Sequence, residues 1–580
     1  MKLVRCAGTW LAVVGLAALA AYAAPPLEVV TASYFGTADE GDLQGAAVAP
    51  DGTIYVVGNT GAAAKDLPGG VGPKLFGGPA KEPKCGCGFV AQLAADGRKI
   101  LRYAEFARGV VILTTVQVNQ HGVYVGGYAS EALGDVLKDV PGLIRQYPLA
   151  NEIKQLEADN AAGKQDKIAG RPGLGRYGAP CILRFSADLQ KLECGTYLEG
   201  WQQVWDKKRV AKPGKEMLGG FQEYYWQPTS IGLLRSGDVI VCHDGGYFRL
   251  LTDQDKELAK DNAKLLELLA FYDCCDYVSR LSPDLAQRTW KKPIYTPPVD
   301  PEVAKKVRSG WPLPHHSSPR THRMRLDKDE NIFLCGWSAS YTSNEPWWSP
   351  YLWKLDPKTG EVAWKAYQYD PMSGGGNRMG GQVSDTAVLT VVPEDDGNLL
   401  TALLADGGNT VMGWSPKADG SKFETPTRGK GFGVKLVHWW GQVHRVDGKT
   451  LSGLGAARIG PWGWVVDMAS MPGRNVVAVG RFNDKFDFTD DAWWRESTVE
   501  NPNAFLRVFS PEFDLLFSTE IPGLVPFEIS RLGPTRIILV GRSEKGASPV
   551  KDALFAKSAG QTGGYFMILQ WSLDATAQEK

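Results

Sequence analysis

One motif recurs seven times along this 580-residue chain: a β-forming run, a tight polar turn and a second β-forming run. The clearest copy is AVAPDGTIYVVGNT, which begins at Ala47. Apolar residues that alternate on both sides of such a turn are typical of a β-hairpin. A repeated hairpin must bury its faces against its neighbours, so the repeat predicts one stacked all-β domain. The other copies begin at Val116, Gly232, Met324, Val391, Ala469 and Ser530.

A second hairpin of different character follows most copies after a variable gap, as in FVAQLAADGRKILRYAEF from Phe89. Two hairpins make a four-stranded antiparallel sheet, which is the blade of a β-propeller. The last β-forming run, Tyr565 to Asp574, lacks an outer partner, and the first, Leu27 to Gly36, lacks a third strand. Pairing these runs completes a seventh blade and removes exposed edges. We therefore predict a seven-bladed β-propeller closed by its N- and C-terminal strands.

The N-terminus is typical of a cleaved signal peptide. Lys2 and Arg5 precede an apolar stretch, residues 11–20, and Ala21-Tyr22-Ala23 is a small-x-small cleavage site. We therefore expect residues 1–23 to be removed and residues 24–580 to form the propeller, exported to the periplasm or the medium. No later stretch is apolar and long enough for a transmembrane segment.

The net charge limits the kinds of partner that the chain can bind, and the cysteine content indicates the compartment in which it folds. The chain has 64 basic and 64 acidic residues, and the predicted cleavage leaves a net charge of −2, which argues against nucleic acid as a partner. Eight cysteines remain, an even number that suits disulfides in an oxidising compartment. The spacing favours a cross-strand bridge between Cys181 and Cys194 and a pairing of Cys242 with Cys274 or Cys275, and it leaves the full disulfide connectivity open.

The long insertions are predicted to lie on one face. Turns between the inner and second strands are all short, whereas the links from second to third and from outer to next inner strands are long. The sequence predicts helical segments in two of the inserts, at 151–162 and 252–273. We expect them to pack on the propeller as a lid. The principal insertions lie near 129–179, 199–226, 245–274, 296–319, 406–436 and 482–502.

Many of the 19 tryptophans fall in these inserts or at strand starts. Aromatic rings stack on sugar rings and also anchor protein partners, although tryptophans can equally hold long loops together. Arginines at the same face suit an anionic ligand or salt bridges between blades. The predicted ligand-binding residues are Trp226, Trp347, Trp348, Trp439, Trp440, Arg378 and Arg481.

The alternative to a binding protein is an enzyme, a lyase or hydrolase, with its site at the channel mouth. His243 ends one second strand, and Arg320 and His322 begin the next inner strand. Imidazoles and the Asp244 carboxylate converging there could bind a metal or act as acid and base. Their spacing matches no metal-binding motif, so we predict no metal site, and hydrogen-bonded structural histidines are the competing interpretation.

The segment Tyr34 to Thr60 resembles the bacterial secreted β-propeller repeat family. It has an aromatic-x-Gly run, the pair Gly41-Asp42 and an A-V-x-x-x-G-x-x-Y-V-x-G hairpin. The resemblance implies a propeller and export, without a defined reaction or cofactor.

A second resemblance is to the pyrroloquinoline-quinone alcohol dehydrogenases, which carry an adjacent Cys-Cys pair and tryptophan-docking repeats. This chain has Cys274-Cys275 and one segment that looks like a tryptophan-docking repeat, LDPKTGEVAW from Leu355, here called the docking-like repeat. It implies a quinoprotein dehydrogenase, but that family has the docking repeat in most blades and this chain has one. A binding role with a glycan, an extracellular polymer or an envelope protein as partner is the leading hypothesis. A structural module of an envelope assembly is the third.

Overall fold

Seven antiparallel blades form a closed ring, as the sequence predicts, and the computed structural model contains almost no helix. Blades 1 to 7 are numbered in chain order. The structure describes residues 25–36, 41–60, 67–68, 71–77, 87–106, 111–148, 176–199, 202–205, 229–244, 276–294, 320–342, 345–366, 386–405, 440–450, 453–461, 463–482, 486–495, 503–558 and 562–572.

The first half of the chain supplies the closing strand and blades 1 to 3. The closing strand is β1 (Leu27–Phe35), and blade 1 contains β2 (Gly41–Val48), β3 (Ile54–Thr60), the short β4 (Lys74–Phe76), β5 (Cys87–Leu93) and β6 (Ile100–Phe106). Blade 2 contains β7 (Val111–Asn119), β8 (Gly122–Ala129), the short helix α1 (Leu133–Leu137), β9 (Arg176–Phe185), β10 (Leu192–Tyr197) and β11 (Gln202–Trp205). Blade 3 contains β12 (Thr229–Leu233), β13 (Val239–Asp244), β14 (Asp276–Leu281) and β15 (Arg288–Ile294).

The second half supplies blades 4 to 7. Blade 4 contains β16 (Arg320–Leu326), β17 (Ile332–Thr342), β18 (Glu345–Leu355) and β19 (Val362–Ala366). Blade 5 contains β20 (Thr386–Pro393), β21 (Leu399–Ala405), β22 (Trp440–Val446) and β23 (Gly453–Pro461). Blade 6 contains β24 (Gly463–Ser470), β25 (Val476–Phe482), β26 (Asn503–Phe509) and β27 (Leu515–Ile521). Blade 7 contains β28 (Leu524–Arg531), β29 (Arg536–Glu544), β30 (Thr562–Trp571) and, as its outer strand, β1.

The two ends of the chain close the ring. β1 pairs antiparallel with β30 from Leu27 opposite Trp571 to Phe35 opposite Gly564. Each inner strand contacts the inner strand of the next blade, and β28 contacts β2. The predicted closure is therefore confirmed, and one blade depends on segments more than five hundred residues apart in sequence.

Both faces of each blade are buried, which explains the nearly continuous apolar runs of the strands. In β29, Ile537 and Leu539 pack into the cluster shared with blade 6, whereas Ile538 and Val540 pack into the cluster shared with blade 1. Alternate residues of a strand point to opposite faces, so a single strand contributes to two interfaces. The core is consequently a ring of inter-blade layers.

A serine-aspartate turn links the third and outer strands of blades 2 and 3. In blade 2, the Ser186 hydroxyl donates to Asp188 Oδ1 at 2.6 Å, and Leu189 adopts a φ of 56° with its side chain buried. Ser282 and Leu285 repeat this arrangement in blade 3. The leucine of each turn has a left-handed backbone conformation and packs its side chain against the preceding blade. The turn itself therefore contributes to the inter-blade core.

A β-bulge interrupts six of the seven inner strands at one equivalent position, and β12 is regular over its described length. A bulge changes the direction of the strand and of the following side chains, and is common near functional sites. The extra residues are Gln44, Thr114, His322, Leu389, Val466 and Phe527. The residues that follow them are Gly45, Thr115, Arg323, Thr390, Asp467 and Glu528.

The disulfide predicted between Cys181 and Cys194 is wrong. Both thiols are free and buried. Cys181 lies opposite Tyr197 and faces blade 1, whereas Cys194 lies opposite Arg184 and packs towards blade 3. The sequence spacing put the two residues on one face, but a register shift after Leu192 separates them.

Two other predictions about local structure involve residues outside the described ranges. These are the pairing of Cys242 with Cys274 or Cys275 and the helical segments 151–162 and 252–273. The described part of the chain contains no disulfide, one short α-helix and a 3-10 turn at Pro472–Arg474.

Tyr34 offers a test of the closing strand. Its ring packs edge-to-face against Tyr565 at 5.8 Å, and its hydroxyl donates to the Ser548 carbonyl at 2.7 Å. We expect Tyr34→Ala to lower the free energy of unfolding by about 3–5 kcal/mol, because a buried ring is lost. Tyr34→Phe keeps the ring and should cost about 1 kcal/mol. Urea unfolding of both variants would measure the difference, and equal midpoints would contradict a closing role for this side chain.

Candidate functional site

Charged side chains meet at the axis of the propeller, at the level of the bulges. Arg323 follows the bulge of β16 in blade 4, and its Nη2 donates to the Phe527 carbonyl of β28 in blade 7. Its Nη2 lies 3.7 Å from Asp467 Oδ2 of blade 6, and its Nη1 lies 3.6 Å from Glu528 Oε2 of blade 7. The Arg323 side chain is only 3% exposed. It therefore reaches across the channel to blades on the far side.

Asp467 is the most highly coordinated acid of this axial cluster. Its Oδ1 accepts from the Thr390 hydroxyl at 2.7 Å, and its Oδ2 accepts from Arg325 Nη2 at 3.0 Å and the Ile529 N–H at 3.2 Å. A buried carboxylate is tolerated when several donors and an opposite charge surround it. Asp467 therefore joins blades 4, 5, 6 and 7 in one polar network.

The charges of the axial cluster balance. Arg323 and Arg325 carry two positive charges, and Asp467 and Glu528 carry two negative ones. Gly45 of blade 1 has no side chain at this level, and a Cβ there would lie 3.3 Å from Glu528 Oε2. These side chains therefore meet across the axis close to the backbone of blade 1.

His322, a predicted catalytic candidate, is the bulge residue of β16 and is almost completely buried. Burial, together with the adjacent Arg323 charge, lowers the pKa of His322 to about 3. The imidazole is therefore neutral at physiological pH, which suits a hydrogen-bonding role better than proton donation.

The other two catalytic candidates flank the seam between blades 3 and 4. His243, also buried, is stacked on Tyr277 with ring centroids 5.7 Å apart. Arg320 is the first residue of β16, and its neighbour Thr321 donates its N–H to Asp276 Oδ2 at 2.5 Å. The structure thus brings the three candidates to adjacent blades at the same end of the channel, and their catalytic role stays a prediction.

The predicted aromatic and basic ligand residues are distributed over several blades. Trp347 and Trp348 lie on β18, within the long β17–β18 hairpin. Trp440 begins β22, and Arg481 is buried in β25 opposite Trp464. Trp226, Trp439 and Arg378 lie outside the described residues.

Some insert tryptophans prove to be packing residues. Trp493 and Trp494 lie in the segment before β26, with ring centroids 5.7 Å apart, and Trp493 packs on Phe517 at 5.0 Å. Trp494 also bonds through its backbone to Thr519 and Glu520 of β27. This insert is held on blade 6 by its tryptophans, as the competing interpretation of the aromatic residues expects.

The docking-like repeat, Leu355 to Trp364, forms the turn between the third and outer strands of blade 4. Trp290 of blade 3 donates its ring N–H to the Pro357 carbonyl at 3.2 Å. A Cβ on Gly360 would lie 2.7 Å from the Trp290 ring, so the glycine, with a φ of 72°, permits this contact. The repeat therefore joins two blades in this structure.

Asp42 is a candidate that the sequence did not single out, although its Gly41-Asp42 pair belongs to the repeat pattern. Its Oδ1 accepts from the Asn59 N–H at 3.1 Å and from Asn59 Nδ2 at 3.0 Å, and its Oδ2 accepts from Gln44 Nε2 at 2.8 Å. Burial raises the pKa of Asp42, although these donors and the Arg542 charge oppose the shift. A perturbed, half-buried carboxyl at a channel mouth is typical of functional sites.

The described ranges contain no group of three or more His, Cys, Asp or Glu residues able to hold a metal ion. They also contain no helix with the length and hydropathy needed to cross a bilayer.

Comparisons with known proteins give no sequence relative and only distant structural neighbours. No protein-family model and no curated protein matches this chain. Similar solved structures include a protein of unknown function from Dyadobacter fermentans, with 11% identity, a TM-score of 0.37, and coverage of 94% of this chain and 100% of the other. The quinohemoprotein alcohol dehydrogenase of Comamonas testosteroni has 12% identity, a TM-score of 0.34, and coverage of 94% and 76%. The β-propeller domain of the Trilobed protease from Pyrococcus furiosus has 7% identity, a TM-score of 0.36, and coverage of 89% and 93%.

These neighbours are similar to the chain at 7–12% identity, with TM-scores of 0.34–0.37. At such low identity they transfer no residue role or activity to this chain. The particular repeat family suggested by Tyr34 to Thr60 remains a prediction.

Asp467→Asn tests the axial cluster. The variant leaves Arg323 and Arg325 without their shared buried carboxylate, and we expect the free energy of unfolding to fall by about 3–5 kcal/mol. Asp552→Asn is the matched control, because Asp552 pairs with Arg98 at 2.7 Å on the surface and should contribute less than about 1 kcal/mol. Denaturant unfolding would compare the two, and equal effects would contradict the cluster's structural role.

His322 also predicts a pH dependence of stability. Its folded pKa of about 3 lies below the ordinary value of 6.5, so the unfolded state binds the extra proton first. We expect its contribution to be complete above pH 6.5 and to be lost progressively as the pH falls towards 3. In the His322→Gln variant, the free energy of unfolding should change less with pH between 3 and 6.5. Above pH 7, its pH dependence should run parallel to that of the wild type. If the free energy of unfolding of His322→Gln varied with pH below 6.5 as steeply as that of the wild type, the prediction would be wrong.

Proposed function

We propose that this chain is an exported β-propeller that binds a glycan or extracellular polymer through its loop-bearing, aromatic-rich face. The observation that carries the proposal is the β17–β18 hairpin of blade 4. β16 begins opposite Trp337, and five further residue pairs continue from Ser338 and Ser349 to Thr342 and Glu345. At the usual rise per residue, the hairpin extends about 16 Å beyond the inner strand.

The direction of this hairpin matters for the proposal. Second strands end on the face that carries the long links, so the hairpin extends from that face. It carries the adjacent pair Trp347 and Trp348. Tryptophan is a common anchor for sugar rings and for protein partners, because a large apolar ring is buried with little loss of side-chain entropy.

Charge supports a neutral or weakly charged ligand. The predicted mature chain has a net charge of −2, and the arginines of the axial cluster are already paired with acids. The axial cluster has no excess of positive charge that would attract a polyanion. A neutral glycan or polymer therefore fits the described part of the molecule better than nucleic acid does.

The double variant Trp347→Ala/Trp348→Ala tests the proposal. We expect its binding to an immobilised panel of glycans and bacterial extracellular polymers to weaken about tenfold or more, because aromatic stacking is lost. Leu454→Ala is the control, since Leu454 is 52% exposed near the opposite face. Melting temperatures should stay unchanged in both variants.

Unchanged polymer binding in a folded double variant would overturn the role of this face. If wild type instead binds an envelope protein and no polymer, the proposed ligand class is wrong. Surface plasmon resonance with both kinds of immobilised partner would separate these outcomes.

A further inference from the structure

The outer strand of blade 7, β1, is connected to its blade differently from the other outer strands. In blades 1 to 6, the outer strand follows the third strand of the same blade after a short turn. β1 pairs instead with β30, more than five hundred residues away in sequence. A short turn keeps a detached strand close to its partner, whereas a very long link does so only weakly. The chain connection therefore does little to retain β1 in the ring.

Residues 548–555, here called the latch, lie along the edge of β1 that does not face β30. They belong to the link between β29 and β30. Ala32 donates its N–H to the Lys551 carbonyl at 2.8 Å, and Lys551 donates its N–H to the Ala32 carbonyl at 2.9 Å. These two bonds form an antiparallel bridge on the outer side of the strand. β1 is thus held between β30 and the latch.

The three residues that follow Ala32 in β1 all contact the latch. Ser33 is completely buried, and its hydroxyl accepts from the Phe555 N–H at 2.9 Å. Tyr34 donates its hydroxyl to the Ser548 carbonyl at 2.7 Å. The Phe35 ring packs edge-to-face on the Phe555 ring, with centroids 5.9 Å apart. The latch therefore contacts four successive residues at the C-terminal end of β1.

The latch is attached to the rest of the ring by few contacts. Tyr565 of β30 donates its hydroxyl to the Pro549 carbonyl at 2.6 Å. Asp552 pairs with Arg98 of blade 1, but both side chains are about half exposed, and such pairs contribute little. Val550 is 44% exposed. Segments with few buried contacts open at a lower free energy than core strands do, so the latch can open while the blades stay folded.

We infer that the latch controls the opening of the ring, because β1 leaves blade 7 only after residues 548–555 have released it. The competing possibility is that the pairing with β30 retains β1 by itself. The two differ in one observable. If the latch is in control, weakening it raises the local opening of β1 and leaves blades 2 to 6 unaffected.

Hydrogen exchange of the full chain, followed by mass spectrometry, tests the inference. Phe555→Ala removes the ring contact of the latch, and Ser33→Ala removes the acceptor of its backbone N–H. We expect either variant to raise the exchange rate of peptides that cover residues 27–35 about tenfold, whereas peptides from blades 2 to 6 exchange as in the wild type.

Phe76→Ala is the matched control. Phe76 is another half-buried ring, and it packs on Phe106 at 5.9 Å in the outer part of blade 1, away from the latch. This variant loses a comparable ring and should leave the exchange of residues 27–35 at the wild-type rate.

Wild-type exchange of residues 27–35 in folded Phe555→Ala and Ser33→Ala variants would overturn the inference. A rise of equal size in every blade would also overturn it, because that pattern indicates global unfolding. Phe555→Leu keeps an apolar side chain in the latch and replaces Phe555→Ala if the alanine variant does not fold. Its exchange in β1 should still exceed that of the wild type.

Discussion

The pairing of β1 with β30 is the constraint on which the rest of the structure depends. Blade 7 lacks its outer strand unless the other end of the chain supplies it, and here β1 does so by pairing with β30. Each blade buries both of its faces, so an open ring would expose two apolar layers as well as a sheet edge. Alternate residues of β29 illustrate this, since they serve the cores shared with blades 6 and 1.

The axial cluster is the second feature that couples distant blades. Arg323 and Asp467 belong to strands that do not pair with each other, yet their side chains join at the axis. The desolvation of four charges is unfavourable, and it is offset by short hydrogen bonds from Thr390, Ile529 and Arg325. Because these partners come from blades 4 to 7, the network specifies how the blades are arranged around the axis as much as it stabilises them.

Several parts of the structure were predictable from residues alone. The hairpin beginning at Ala47 and its relatives gave the inner and second strands, and the unpaired runs at Leu27 and Tyr565 gave the closure. The candidate site was harder to predict from the sequence. Arg323 and Asp467 look like ordinary polar residues of a strand in the sequence, and only the bulges and the ring geometry place them together. The Cys181–Cys194 disulfide failed for a related reason, since one register shift after Leu192 moves a side chain to the other face.

The sequence by itself determined the fold class, the number of blades and the face that bears the long loops. These properties follow from periodicity and turn chemistry, which are local and repeat along the chain. The tertiary structure decided which side chains meet at the axis and how far the β17–β18 hairpin extends. Those contacts join residues far apart in sequence, and their geometry depends on bulges and on ring closure, which no local pattern encodes.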